Sequence, residues 1–169
     1  MRFLCLIYFV FALSFTANCQ DTAIIKRQAN LMAQATFKGD YKTTIAFTYP
    51  ALITLSGGKE QLQRLITDRM AKLKYQGITG FSGGIASPGK FYTAGNEIHC
   101  LVPEDIYIRT AAGRYKSRSY LLGISADNGQ NWTFIDVGNM PPEVLHRLLP
   151  NFNKDLIIPP SAKPEFLAN

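Results

Sequence analysis

Thiols and imidazoles are scarce in this chain, with three cysteines and two histidines among 169 residues. Cys5 lies in an apolar N-terminal run and Cys19 just beyond it, which leaves Cys100 as the thiol well inside the remainder. A lone thiol makes no internal disulfide, so the fold must stand on its hydrophobic core. His99 and Cys100 are neighbours. In a strand they point to opposite faces, which excludes a Cys–His nucleophilic pair. His146 is the only other imidazole, too little for a metal cluster, and no metal site is expected. The stretch Ser56-Gly57-Gly58-Lys59-Glu60 lacks the full spacing of a phosphate loop and reads as a helix start. No cofactor is expected.

The N-terminus has the form of an export signal. Met1-Arg2 gives a positive start, and Phe3 to Phe15 is an apolar run of h-region length. It falls short of the ~20 residues a bilayer span requires, and no later stretch approaches that length. Cleavage after Cys19 puts the small residues Ala17 and Cys19 at the recognition positions, so the mature chain is expected to begin near Gln20. An exported protein, periplasmic or secreted, follows. The alternative retains Cys19 as a lipidated first residue and tethers the protein to a membrane, although Asn18 departs from the small residue usual before such a cysteine. The net charge of +6 favours anionic surroundings such as envelope lipids or acidic glycans. Nucleic acid is not an expected partner outside the cytoplasm.

Helices come first and strands second. Thr22 to Lys38 reads as an amphipathic helix stopped by Gly39, and Asp40 caps a second that runs to Tyr49 and is ended by Pro50. A third follows Gly58, with Leu62, Leu65, Ile66, Met70 and Leu73 on one stripe. After Gly77 come strand-like segments at residues 78–86, 98–102, 106–110, 115–125 and 132–137, separated by short turn clusters, Pro103-Glu104-Asp105 among them. That spacing suits an antiparallel meander, not βαβ units. A short helix at Pro142 to Leu149 precedes a tail containing Pro150, Pro159, Pro160 and Pro164. The expected organisation is a leader at 1–19, one α+β domain at 20–150, and an extended tail at 151–169.

This order of helices followed by a curved antiparallel sheet resembles the NTF2-like superfamily of cone-shaped α+β barrels. Lys38-Gly39-Asp40-Tyr41 is similar to the family's helix-turn-helix start, and Asn131 to Val137 (NWTFIDV) to its last strand. The resemblance implies N-terminal helices packed on a strongly curved sheet, with a pocket inside the cone. It also implies that an inward-facing Asp can serve as a base and a tyrosine as a hydrogen-bond donor. The fold hosts isomerases, dehydratases and non-enzymatic pockets alike, so it does not fix the function.

Ser125 to Trp132 (SADNGQNW) matches the S-x-D-x-G-x-x-W Asp-box of sialidase-like propellers, which need several copies and far more chain. Here it reads as a hairpin device: Asp127 closes the turn, Gly129 takes a left-handed conformation, and Trp132 packs beneath. A three-residue loop at Asp127-Asn128-Gly129 would set Ile124 opposite Trp132, Leu122 opposite Phe134, and Tyr120 opposite Asp136. On that register Asp136 is the candidate general base and Tyr120 its oxyanion donor. Arg114, Lys116 and Arg118 continue the face at period two, with Arg109 across the hairpin, as an anion-binding or merely solvated stripe. Met32, Tyr49, Met70, Tyr107, Arg118, Trp132 and Phe134 are the expected pocket lining. The leading expectation is an exported, non-catalytic domain that binds a small apolar or amphipathic ligand or a protein partner. An isomerase or lyase using Asp136, and an envelope module that forms homodimers, are the alternatives.

Overall fold

The computed structural model describes residues 22–167. The expected leader and its Cys19 lie outside the described residues. The architecture is α+β: N-terminal helices, a strongly curled antiparallel sheet forming a half-barrel, and a short helix late in the chain.

Helix α1 (Thr22–Lys38) buries Ile25, Ala29 and Ala33, which recur every fourth residue and form one face. Two of the three are alanines, so the helix backbone can approach the sheet closely. Gly39 ends it in a left-handed conformation at φ 78°. Asp40 then caps α2 (Tyr41–Ala46) by accepting from the Thr43 N–H at 3.1 Å and the Thr43 hydroxyl at 2.7 Å. Pro50 does not end this helix, as the sequence suggested, but opens α3 (Pro50–Leu55). A proline at the first helical position gives up an N–H that would be unpaired there anyway. The apolar stripe of α4 (Lys59–Tyr75) is only half covered. None of its residues is buried, and Leu65 is 49% exposed.

The strands are β1 (Ile78–Ile85), β2 (Phe91–Ala94), β3 (Glu97–Thr110), β4 (Gly113–Ser125), β5 (Thr133–Asp136) and β6 (Glu165–Leu167). The order runs β1-β3-β4-β5, with β2 also on β3 and β6 also on β4, all antiparallel. The turn expected at Pro103-Glu104-Asp105 is absent, and β3 runs straight through it. Pro103 survives mid-strand because of where its missing N–H falls. Its carbonyl accepts from Ala86 and that of Leu101 from Gly89, so this edge of Pro103 faces the seam between β1 and β2.

Each face of the sheet carries its own core. Towards α1 lie Ile98, Cys100, Val102, Leu121, Trp132 and Phe134. On the opposite face Leu122, Ile124, Ile135 and Val137 pack against α5 (Pro142–Leu148) and the chain that follows it, through Leu145, Leu148, Leu149 and Leu156. The segment after α5 is stitched down as well, since Asn153 donates to the Thr93 carbonyl and Ser117 to that of Ala162.

Gly123 sets the depth at which α1 docks. A Cβ there would lie 2.8 Å from Ile25 Cδ1, 3.2 Å from the Trp132 ring and 3.3 Å from that of Phe134. Gly123→Ala should therefore cost about 1–3 kcal/mol by overpacking, read as a lowered urea midpoint with an unchanged slope. An unchanged midpoint would show that α1 can shift without loss.

Candidate functional site

The Ser125–Trp132 turn is built as the sequence suggests. Asp127 accepts from the Asn131 N–H at 2.8 Å, from Asn131 Nδ2 at 2.7 Å and from the Ser125 hydroxyl at 2.8 Å. These bonds hold its carboxyl below the usual Asp range, those from Asn131 most strongly. Gly129 stands at φ 89°, and its carbonyl accepts from Trp132 Nε1 at 2.9 Å beneath the turn.

The loop is longer than three residues, however, and it shifts the register by one. Ile124 pairs with Thr133, Gly123 with Phe134, Leu122 with Ile135 and Leu121 with Asp136. Because side chains alternate, this reverses the expected faces. Trp132 and Phe134 enter the α1 core, while Leu122 and Ile124 enter the other. Asp136 shares a face with Leu121, and Tyr120 packs on the opposite one. The two candidate catalytic groups are thus not brought together. Asp136 is exposed and accepts from Ser119 Oγ at 2.9 Å and the Gly138 N–H at 3.0 Å.

Phe134 carries a further consequence of that register. Its N–H donates to the Phe47 carbonyl at 2.7 Å and its carbonyl accepts from the Tyr49 N–H at 3.1 Å. The α2–α3 link is thereby laid along β5, forming a parallel bridge at Thr48. Tyr49 is fixed over the sheet end, and its hydroxyl donates to Glu97 Oε1 at 3.1 Å. Glu97 Oε2 in turn lies 3.4 Å from His99 Nε2. A carboxylate only accepts, so Nε2 carries the proton and Nδ1 is a bare acceptor. Among the described residues that Nδ1 has no partner, in a ring that is itself fully buried beside Phe152. Burial holds the His99 pKa below the ordinary histidine value, with Glu97 opposing. Burial, reinforced by the Glu97 charge, raises that of Tyr49 to about 12.

Beside this Tyr49–Glu97–His99 chain lies an open cleft of about 530 Å³. Tyr49, Pro50, Ala51, Ile124 and Ala126 form its apolar wall, and Glu97, Asp127, Asn131 and Thr133 its polar one. Among the described residues it holds two carboxylates and no cationic side chain. Of the expected lining residues only Tyr49 is found here. Trp132 and Phe134 are core, and Met32 packs against the same cluster. Met70 lies on α4, while Tyr107 and Arg118 lie on the far half of the β3–β4 ribbon. There Arg118 makes a bidentate pair with Asp105 at 2.8 and 2.9 Å. Among the described residues no group of three or more His, Cys, Asp or Glu side chains is placed to hold a metal ion.

Glu104 is the residue that sequence reading missed, being taken for part of a turn. It faces α1 in β3, is 6% exposed, and its carboxyl forms no hydrogen bond with the described residues. Burial, with the nearby Asp136 charge, pushes its carboxyl up to about 7. A carboxyl raised on folding binds more protons folded than unfolded between pH 4.5 and about 7. Its stabilising contribution is complete below that window and lost as the pH rises through it, on the order of 3 kcal/mol. His99 acts oppositely: its pKa falls on folding, so stability declines as the pH drops below the ordinary histidine value. Glu104→Met should remove the alkaline decline and raise the denaturation midpoint at pH 8. An unaltered pH profile would show that Glu104 is solvated. No protein-family model, curated protein or solved structure matches this chain, so the account of the site rests on its own geometry.

Proposed function

We propose that the protein is an exported, non-catalytic NTF2-like domain that binds a small amphipathic molecule in the cleft beside Tyr49 and Glu97. One observation carries the reading: a cleft of about 530 Å³ that joins an apolar wall to two carboxylates, with no cation among the described residues that line it. A ligand that leaves its apolar part on Pro50, Ala51 and Ile124 and directs an amine at Glu97 would satisfy both walls. The Tyr49 hydroxyl holds the Glu97 carboxylate in place for that contact. Binding in such a pocket draws on apolar burial for strength and on the charged bond for selectivity.

The alternative, an isomerase or lyase using Asp136 as base, loses its oxyanion donor, because Asp136 and Tyr120 lie on opposite faces. A dimer would draw on α4, where Leu65 is 49% exposed and Leu55, just before it, 43%. Light scattering after size exclusion should then show a mass that rises with concentration, and a constant monomer mass would reject the dimer.

Calorimetry against long-chain amines and the matched neutral alcohols tests the cleft. The amine should bind more tightly, and Glu97→Gln should erase its advantage, a loss of about ten- to a hundred-fold. Equal binding of amine and alcohol, or an unaltered preference in the variant, would overturn the reading.

A further inference from the structure

Two side chains hold Glu97 from behind the cleft, and one of them is an imidazole. The Tyr49 hydroxyl donates to Oε1 at 3.1 Å, and His99 Nε2 lies 3.4 Å from Oε2. Each carboxylate oxygen accepts more than one bond, so both stay open to a donor arriving from the cleft. Tyr49, with its pKa raised to about 12, keeps its proton throughout the ordinary range. The imidazole is the partner able to take a second proton and become a cation.

That proton must land on Nδ1, which is buried and has no hydrogen-bond partner among the described residues. The elements packed around the ring supply no second anion. Tyr92 stands opposite it on β2 and Ile124 on β4. Phe152 lies against it with ring centroids 5.8 Å apart, and the exposed His146 of α5 meets the same Phe152 at 6.3 Å. Among the described residues Glu97 is the carboxylate that touches the ring. A protonated His99 would thus be answered by Glu97, the group an amine in the cleft also needs. Asp127, the other carboxylate of the cleft, already accepts from Ser125 and Asn131 within its own turn. Two cations then compete for one anion, and the buried one has no alternative.

We propose that His99 is the positioning residue of the cleft and its acid release: the neutral ring orients Glu97 toward a bound amine, and the imidazolium claims Glu97 for itself. This rests on the amine-binding reading of the cleft. Burial lowers the His99 pKa, with Glu97 opposing, so the proton arrives below the ordinary histidine value. An amine on Glu97 cancels the opposing charge and lowers that pKa further. By linkage, the proton weakens the amine by the same factor. The grip is complete above the ordinary histidine value and lost as the pH falls through the folded one.

Calorimetry with a long-chain amine and its matched alcohol, from about pH 8 to about pH 5, tests this on the full chain. The amine stays protonated across that range, and the alcohol reports whether the cleft is intact. In the parent, the amine should lose about ten-fold in affinity relative to the alcohol as the pH falls. His99→Gln keeps an N–H donor for Glu97 but takes up no proton, so its preference for the amine should stay level. His146→Gln should lose the preference as the parent does. Nitrogen spectra of the histidines give a readout that needs no variant. The free protein should show His99 protonated on Nε2, and the amine should move its titration about one pH unit lower. An amine with no advantage over the alcohol at any pH would remove the reading of the cleft and this inference with it. An advantage that persists unchanged into acid, one that His99→Gln loses as the parent does, or a His99 protonated on Nδ1 would overturn this inference alone.

Discussion

The register of β5 against β4 is the constraint on which the arrangement depends. With Leu121 opposite Asp136, Phe134 falls beneath α1 and Ile135 beneath α5, so both cores close. A slip of one residue would send Phe134 to the wrong face and bring Asp136 into an apolar layer. The Ser125–Trp132 turn prevents the slip. Its Asp127 and Ser125 bonds fix the loop length, and the Trp132 indole is tied to Gly129 underneath. A polar device on the surface thus determines which side chains are buried several residues away.

The same register shapes the site. Phe134 offers its backbone to Phe47 and Tyr49, which converts the edge of β5 into one wall of the cleft. This covers an exposed strand edge and places the Tyr49 hydroxyl over Glu97 in one step. Behind them His99 is buried beside Phe152, which lowers its pKa, and across the sheet Glu104 is buried near Asp136. Both groups set charge or polarity against a low dielectric, and both keep their positions because the surrounding core over-determines them.

Much of the fold was legible in the residues. Gly39 and Asp40 mark the first helix end and the next cap, and the Asp127–Gly129 turn announces its hairpin. The site was far less so. A local motif shows that a turn forms but not how many residues it closes over, and one residue of error reversed every facing assignment near Asp136. Pro103 concealed Glu104 for a related reason. Proline reads as a strand breaker unless its missing N–H is known to meet a seam, and that seam exists only once β1 and β2 share β3. The apolar stripe of α4 was read correctly as a stripe, yet periodicity does not say how much of it a partner element covers.

Cross-strand proton contacts in β4 and β5, measured by nuclear Overhauser spectroscopy, test the central claim most directly. The account predicts close approach of Leu121 to Asp136 and of Gly123 to Phe134. Contacts of Tyr120 with Asp136 and of Leu122 with Phe134 would contradict it, exchange the two cores, and dissolve the cleft wall that depends on Phe134.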